Sequence, residues 1–537
     1  MKSISISWWR TGAAVLIAAM VTTTVFGIPD AVAAEKKTLV LGIDISDTRT
    51  FDPARQAQYS PPITMRAAYD MLVTMDPGDY VNIKPALAES WELSANGTAW
   101  IFYLRKGAKF ASGNPVTAED VKFSFDRLLN VKDQPAEYAE NIKSTEVIDS
   151  LTVKVNMVDK NQPLLSLLVA VPFAICDSKL VMEHGGFSGP EAEKQDTATE
   201  WLNQESAGAG AYKLVSWTRN SEIVLERNSN YWRGTPAFEK VIIRHIGDSA
   251  AQVLTLKRGD IDVAFNLTPE QFDSLKGNPD VNLLKTISLD YMYMTLTSEP
   301  TYNEALANMA CRQAVAYSID YDGLIQGLLG GFATRPAAFI PVGLSGSSEE
   351  IAKKYRYTQD YDKAKALLEE CGRPDGFSFE LNFAKATIAG TSYDIVAQKI
   401  ESDLSKVKIK AELTPLNQVT LRDKYKGGKS TAVLTFWNPD APEAYMWSQA
   451  SVYRVADRVR WKVPQALKDL VFQAAGEQDR AKQDELYSQY TEALVDQANY
   501  LILFQPIYRV ATRKEITGYE PTAAGWHVDL FNVKPTE

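Results

Sequence analysis

The chain has 537 residues, of which 45% are hydrophobic and 23% charged, and its formal net charge is −10. An acidic chain of this kind is a poor candidate for binding nucleic acid or an anionic membrane surface. Its three cysteines are too few for a disulfide-rich scaffold, although one disulfide is possible in an oxidising compartment.

The first 34 residues have the pattern of a cleaved secretory signal peptide. Two basic residues, Lys2 and Arg10, precede an apolar run, and the small-residue stretch 31–34 resembles a cleavage site. The run is short for a membrane span and is interrupted by threonines, so a membrane anchor is the weaker interpretation. We expect cleavage near Ala33 or Ala34 and a periplasmic mature chain. Its roughly 500 residues are enough for two or three lobes.

The first half of the mature chain carries three clear local signals. Residues 38–45 predict a buried strand. Residues 87–110 predict a hairpin, because apolar residues alternate on either side of an Asn96-Gly97 turn. Thr117 is a predicted N-cap, with acidic residues in the first turn of the helix that follows.

The second half alternates helices with strands. Helical spacing of apolar residues recurs around 311–319, 364–371 and 396–404, and strands are predicted at 377–383, 407–413 and 431–437. This order predicts an α/β lobe between about residues 290 and 500.

Signals for catalysis are weak. The three histidines lack metal-ligand spacing, and no nucleophile elbow accompanies the glycine-rich loop 184–189. Residues 426–431, KGGKST, resemble the end of a phosphate loop, but Asp423 stands where that motif needs glycine. A solvated turn is the better interpretation. We therefore expect no enzyme, no catalytic residues, no metal and no cofactor.

Four ordered segments together resemble the peptide-type, family 5, extracytoplasmic solute-binding proteins of ABC transporters. The segments are LAESWELSANGTAWIFYLRKGAKF with its continuation to 129, GAGAYKLVSWTRNSEIVLERNSNYW at 208–232, ACRQAVAYSIDYDGL at 310–324 and YDKAKALLEECG at 361–372. The family's usual Gly-Thr-Gly-Pro-Tyr stands here as GAGAY, and the match covers nearly the whole mature chain.

The resemblance implies an α/β, class II-like clamshell with an extra inserted subdomain. We expect a discontinuous first lobe, an inserted subdomain at 76–206 and a second α/β lobe at 289–502. The first lobe would comprise residues 35–75, 207–288 and 503–537. The chain would cross between the lobes near 286–296 and 500–508, and ligand would close them. The implied function is a monomeric periplasmic protein that delivers a peptide or amino-acid-derived ligand to an inner-membrane ABC permease.

The resemblance also implies where ligand binds. Peptide-binding members carry Trp-x-x-Asp after a second-lobe strand, and the Asp meets the ligand's α-ammonium. Here Trp437 and Asn438 lead to Asp440 after an apolar strand, and a carboxylate there needs a cation or donors. Asn-Pro-Asp is also turn-rich, so Asp440 could simply begin a turn. Further candidate ligand contacts are Trp447, Tyr59 and Tyr291.

Ligand class stays open at this point. Dipeptide binders of the family pair the ligand carboxylate with an Arg near the first strand of the second lobe, where this chain has Lys385. Lys385 is a further candidate ligand contact, which would act as a point charge. A lysine lacks the bidentate fork of an arginine, which puts strict dipeptide specificity in doubt. Longer peptides would not need that contact. The alternatives are an oligosaccharide, glycoside or opine in the same fold and, as a different class, a secreted hydrolase. Nickel and haem fit poorly with so few histidines.

Overall fold

The computed structural model describes residues 36–77, 79, 82–160, 163–388, 391–437, 442–477, 479–522 and 528–536. The predicted signal peptide lies outside these residues, as do Asn438 and Asp440.

The strands are β1 (Thr38–Ile43), β2 (Val73–Thr74), β3 (Lys84–Pro85), β4 (Ala88–Leu93), β5 (Ala99–Leu104), β6 (Ile142–Asp149), β7 (Thr152–Met157), β8 (Tyr212–Thr218), β9 (Glu222–Arg227), β10 (Lys240–His245), β11 (Val263–Ala264), β12 (Val281–Ile287), β13 (Tyr291–Leu296), β14 (Ala333–Thr334), β15 (Ser378–Ala384), β16 (Thr387–Ile388), β17 (Thr391–Ser392), β18 (Lys410–Leu416), β19 (Ala432–Trp437), β20 (Tyr500–Arg513), β21 (Ile516–Thr517) and β22 (Lys534–Pro535).

The α-helices are α1 (Pro61–Ala68), α2 (Ala118–Val131), α3 (Leu164–Leu167), α4 (Ser178–Glu183), α5 (Ala192–Gln195), α6 (Thr199–Leu202), α7 (Ser249–Arg258), α8 (Pro269–Ser274), α9 (Glu304–Ala307), α10 (Met309–Ser318), α11 (Tyr321–Gly323), α12 (Glu349–Tyr355), α13 (Tyr361–Glu370), α14 (Tyr393–Ser405), α15 (Gln418–Lys426), α16 (Ala444–Val452), α17 (Arg454–Arg458), α18 (Gln465–Gly476) and α19 (Arg480–Gln497). Short 3₁₀ helices at Gln134–Ala139, Val171–Phe173 and Leu530–Asn532 and a π-helical turn at Leu324–Leu328 complete the set.

One long strand, β20, connects two halves of the main sheet. Within the described residues, this sheet has twelve strands in the order β18-β15-β19-β13-β20-β11-β1-β10-β9-β8, with β12 and β14 also paired to β20. The first part of β20 pairs antiparallel with β13, and its later part pairs antiparallel with β12 and β11. The chain therefore passes between the halves at β20 and again at the short segment 288–290, between β12 and β13.

Two large hydrophobic cores lie on either side of these crossings. One is built from residues between Leu39 and Phe265 together with Val510–Val533, and the other from residues between Leu289 and Phe504. The first core includes a separate four-stranded antiparallel sheet, β4-β5-β7-β6, which lies within the predicted inserted subdomain. The predicted residue boundaries of the lobes stay predictions.

Most predicted elements form where local signals are strong. The hairpin pairs Trp91 with Phe102 across a turn in which Gly97 has φ of +71°. Thr117 is the N-cap residue of α2, as predicted, and its backbone amide donates to Asp120 Oδ2 at 2.9 Å, which is the reciprocal bond of a capping box. The strand expected at 407–413 instead begins at Lys410, because Lys408 with φ of 64° lies in the turn after α14.

Cys311 and Cys371 form a disulfide between α10 and the end of α13, so the one possible disulfide does occur. Cys176 is buried and unbonded to another cysteine. In KGGKST, the glycines follow α15 and precede β19. That order of helix, loop and strand is the reverse of a phosphate loop, which supports the solvated-turn interpretation.

Candidate ligand-binding cleft

The carboxyl ends of the parallel strands in both halves of the main sheet face the crossing segments. In one half, β1 runs parallel to β10 and β11; in the other, β15 runs parallel to β18 and β19. The register pairs Tyr291, at the start of β13, with Trp437, at the end of β19. In open α/β sheets, ligands bind beyond the carboxyl ends of strands, so this edge is the candidate cleft.

Tyr59 lies on the first-lobe side of this edge, in the loop that follows β1. Its backbone amide donates to Asp47 Oδ2 at 2.8 Å, and its hydroxyl donates to the Tyr508 hydroxyl at 2.8 Å. Tyr508 lies three residues after Gln505 in the crossing part of β20. Burial, together with the charge of Asp290, raises the pKa of the Tyr59 phenol well above its ordinary value, so Tyr59 remains a neutral hydrogen-bonding group.

Trp437 lies on the opposite side of the cleft and is half-buried. Its ring packs edge-on against Phe339, with centroids 5.5 Å apart. The guanidinium carbon of Arg454 lies 5.1 Å from the Trp437 centroid, within the range of a cation–π contact. The Trp437 indole therefore packs against one aromatic ring, that of Phe339, and has Arg454 as a cationic neighbour.

A cavity of about 400 Å³ lies between the inserted subdomain and the second lobe. Its lining contains charges of both signs, two tyrosines and apolar side chains: Glu137, Tyr138, Glu140, Asn141, Val158, Leu167, Tyr445, Met446, Gln449 and Arg454. This volume falls within the usual range of small-molecule sites. Because Arg454 both lines the cavity and approaches Trp437, the cavity adjoins the cleft.

The two walls of this cavity also contact each other directly. Arg454 Nη1 donates to both carboxylate oxygens of Glu137 at 2.6 Å, and Arg422 Nη2 donates to Gln134 Oε1. Met446 packs against both hydrophobic cores. The subdomain and the second lobe are therefore in contact across the mouth of the cleft.

The remaining predicted contacts fall in different places. Tyr291 and Trp447 have no exposed side-chain surface, and the Tyr291 hydroxyl donates to the Phe339 carbonyl at 2.7 Å. Every residue of β13 is buried, and Trp447 packs into the core of the second lobe. The roles of Tyr291 and Trp447 as ligand contacts stay predictions. Lys385 is exposed just after β15 and has no ion-pair partner within the described part of the chain. Asn438 and Asp440 lie outside that part.

The sequence patterns missed Glu137, Arg454, Tyr508 and Asp290 as candidate cleft residues. Glu137 and Arg454 are 317 residues apart, and neither belongs to a recognisable motif. Asp290 did carry a signal, since a lone carboxylate between two apolar runs raises the same question as Asp440.

The described residues show neither a metal site nor a membrane span. These residues contain no cluster of three or more His, Cys, Asp or Glu side chains placed to hold a metal. They also contain no helix with both the length and the apolar character needed to cross a bilayer.

Comparison with known proteins decides the family. The model of the bacterial extracellular solute-binding proteins, family 5, middle region, matches residues 82–455. The chain belongs to this family. Among its relatives, a probable D,D-dipeptide-binding periplasmic protein of Escherichia coli K12, DdpA, is 30% identical and covers 93% of this chain and 94% of its own. Di/tripeptide-binding protein 2 of Pseudomonas aeruginosa UCBPP-PA14 is 25% identical, with coverages of 92% and 94%.

A solved structure shows the same fold. The ABC transporter-associated periplasmic binding protein DppA from Helicobacter pylori, in complex with the peptide STSA, superposes with a TM-score of 0.77 at 23% identity. The match covers 94% of this family 5 chain and 99% of the other. The two-lobed clamshell expected from the resemblance is therefore confirmed.

Proposed function

We propose that this family 5 protein is the periplasmic substrate-binding component of an ABC import system for short peptides or amino-acid-derived ligands. The observation that carries the proposal is the end-to-end relationship, at 30% identity, to a D,D-dipeptide-binding protein. A di/tripeptide-binding relative of similar coverage supports the peptide class over a sugar or opine.

The chemistry of the cleft agrees with a zwitterionic ligand. Arg454 is a cation beside Trp437, and its Nη1 already pairs with Glu137 while its Nε has no partner among the described residues. Glu140 supplies a further anion on the facing wall. Arg454 could therefore meet a peptide carboxylate in place of the arginine that Lys385 replaces, using the fork geometry that a lysine lacks. Trp437 and Asp440 retain their expected roles as an apolar wall and an ammonium anchor.

We also propose how the protein is exported, where it acts and how it releases its ligand. Residues 1–34 are removed on export, the mature chain acts as a monomer in the periplasm, and the closed lobes dock on an inner-membrane permease. The ligand is released unchanged, since a carrier of this type needs no catalytic group. Incubating dipeptide with the pure protein should return it intact.

The test compares two substitutions in the second lobe by titration calorimetry. Asp440→Asn keeps the side-chain shape and removes the charge, so dipeptide binding should weaken about tenfold or more through loss of a bond worth roughly 1.5–3 kcal/mol. Trp437→Ala should weaken binding of any ligand class through lost packing. The matched control, Asp423→Asn, removes an exposed charge from the same lobe and should leave the affinity unchanged.

The two ligand classes give opposite results in this test. L-alanyl-L-alanine and D-alanyl-D-alanine serve as peptide probes, and maltose serves as the sugar probe. Dipeptide binding that depends on Asp440 supports the proposal. Binding of maltose, with Asp440→Asn equal to wild type and Trp437→Ala impaired, would replace the peptide with a glycoside.

A further inference from the structure

Asp290 is a buried carboxylate for which the protein supplies no partner. The residue has no exposed surface, and neither side-chain oxygen has a hydrogen-bond partner among the described residues. Buried charges in proteins are normally paired or hydrogen-bonded, because burying an isolated anion is costly. In agreement with this isolation, burial raises the pKa of the Asp290 carboxyl well above its ordinary value of 3.8.

The crossing segment does not need this carboxylate for its own structure. Ser288 Oγ donates to the backbone carbonyl of Asp290 at 3.0 Å, not to its side chain. Gln505 fixes the neighbouring strand, since its Nε2 donates to the Ser288 carbonyl at 2.5 Å and its Oε1 accepts from the Val342 amide at 2.8 Å. The hydrogen bonds that hold the crossing together therefore use backbone groups and Gln505.

Asp290 lies in the crossing segment 288–290, next to the edge of the sheet where the candidate cleft is. It immediately precedes Tyr291, whose partner in the sheet is Trp437 at the carboxyl end of β19. From the other side, the carboxyl is close enough to Tyr59 to raise the pKa of its phenol. Asp290 thus lies between a first-lobe and a second-lobe residue of the cleft, at the point where the lobes are joined.

We propose that Asp290 is a specificity-determining ligand contact that binds the cationic ammonium of the solute at the floor of the cleft. The inference rests on the proposed function, and it assigns the ammonium an anchor in addition to Asp440. An ammonium carries three N–H donors, each of which can form a charge-assisted hydrogen bond to a carboxylate oxygen. A neutral sugar or an N-acylated peptide would leave Asp290 unpaired in the closed cleft and is thereby disfavoured.

The test uses the mature protein freed of bound ligand, with L-alanyl-L-alanine, D-alanyl-D-alanine and their N-acetyl forms as probes. Calorimetry compares wild type with Asp290→Asn and with Asp280→Asn, which removes the same charge from an exposed position ten residues earlier. Wild type should prefer the free amine, whereas Asp290→Asn should bind it about tenfold or more weakly and lose the preference. Asp280→Asn should behave like wild type.

The melting temperature separates binding from folding. Asn removes a buried ionisable group without changing volume, so Asp290→Asn should melt no lower than wild type at neutral pH. Asp290→Ala repeats the test without a buried amide. If both variants melt well below wild type, the carboxyl is structural and the inference is wrong.

The experiment distinguishes a wrong role for Asp290 from a wrong proposed function. Wild type that binds a dipeptide, with Asp290→Asn retaining both affinity and amine preference, would overturn the role of Asp290 and leave the function standing. Wild type that binds none of the dipeptides would overturn the proposed function, and the role of Asp290 with it.

Discussion

Arg454 of the second lobe and Glu137 of the inserted subdomain form an ion pair, with Arg454 Nη1 2.6 Å from each Glu137 carboxylate oxygen. The same arginine lies against Trp437, and both charged residues line the cavity beside the cleft. Arg454 therefore contributes both to the contact between the subdomain and the second lobe and to the environment of the candidate ligand site.

Removing the charge of Glu137 should weaken closure. Both side chains are about one-third exposed, so the pair is worth about 0.2–1 kcal/mol and is screened by salt. Glu137→Gln should lower dipeptide affinity by a factor of about 1.5 to 5. It should also reduce the compaction that small-angle scattering detects when ligand is added.

Glu183→Gln is the matched control, since it removes an exposed charge from α4 of the same subdomain. The salt dependence of affinity should be smaller in Glu137→Gln than in this control. Equal affinities and equal salt dependence in the two variants would show that the ion pair does not contribute to closure.

A buried ion pair should have a much larger effect on stability. Arg127 contacts Asp52 and Asp196 with hydrogen bonds of 2.5–2.7 Å, and all three side chains are buried. Arg127→Met should destabilise the fold by about 3–5 kcal/mol, because it removes the buried cation that hydrogen-bonds both carboxylates and leaves them the longer cationic contacts to Arg55, at 3.5–3.8 Å. Chemical denaturation measures the loss.

The triple variant Arg127→Met, Asp52→Asn, Asp196→Asn tests the cause, because it removes the buried charges together. Its stability should recover much of the loss. A triple variant as unstable as Arg127→Met would show that packing, rather than charge, explains the effect.

Local signals predicted much of the fold, whereas the cleft depends on contacts that sequence patterns do not contain. The hairpin and α2 formed where a turn dipeptide and a capping residue specify them. The alternation of apolar and polar residues shows which side chains of a half-buried strand face the core. It could not predict the direction of the Tyr291 side chain, because every residue of β13 is buried. Glu137 and Arg454 meet only through the packing of the subdomain on the second lobe, and an ion pair between such distant residues has no local pattern.

The predicted cleft residues also differ in how much of their position the sequence could predict. Trp437 ends β19, and Tyr59 lies in the loop between β1 and α1, near the edge of the sheet where ligand sites of α/β folds occur. Their roles as ligand contacts stay predictions. Trp447 is an apolar residue on α16, and its large ring packs into the core, which is the commoner fate of a tryptophan. Asp290 could have been identified as a candidate site residue, because burying an unpaired carboxylate within an apolar run has a high free-energy cost.

A pH effect should arise from Asp70, which accepts a hydrogen bond from Trp232 Nε1 at 2.6 Å. Burial raises the pKa of its carboxyl to about 7 from an ordinary value of 3.8. Since the folded state holds this proton more tightly than the unfolded state, the stabilising contribution is present below pH 3.8 and lost as the pH rises through 7.

The melting temperature of wild type should therefore fall between about pH 4 and 7 relative to Asp70→Asn and level off above pH 7, and tryptophan fluorescence should titrate near pH 7. Asp76→Asn, at an exposed position nearby, controls for the loss of one charge. Parallel melting curves for wild type and Asp70→Asn across this range would contradict the raised pKa.

The disulfide between Cys311 and Cys371 should stabilise the second lobe. It closes a segment with a sequence separation of 60 residues, and disulfides typically contribute about 2–4 kcal/mol to stability. The Cys311→Ser, Cys371→Ser double variant should unfold at a lower denaturant concentration. Cys176→Ser is the comparison at a buried cysteine outside the disulfide. Reducing agent should destabilise wild type and leave the double variant unchanged, and an equal response of both would count against the bond.

The most direct test of the proposed function is to identify the ligand that the protein binds in its native host. Mature protein, purified from the periplasm of its native host without unfolding, is denatured, and the released small molecules are identified by mass spectrometry. We expect to find a short peptide or amino-acid derivative with a free ammonium, which is present in wild type and depleted in Asp440→Asn and Asp290→Asn. A sugar or another solute without an amine, retained equally by all three proteins, would contradict this expectation.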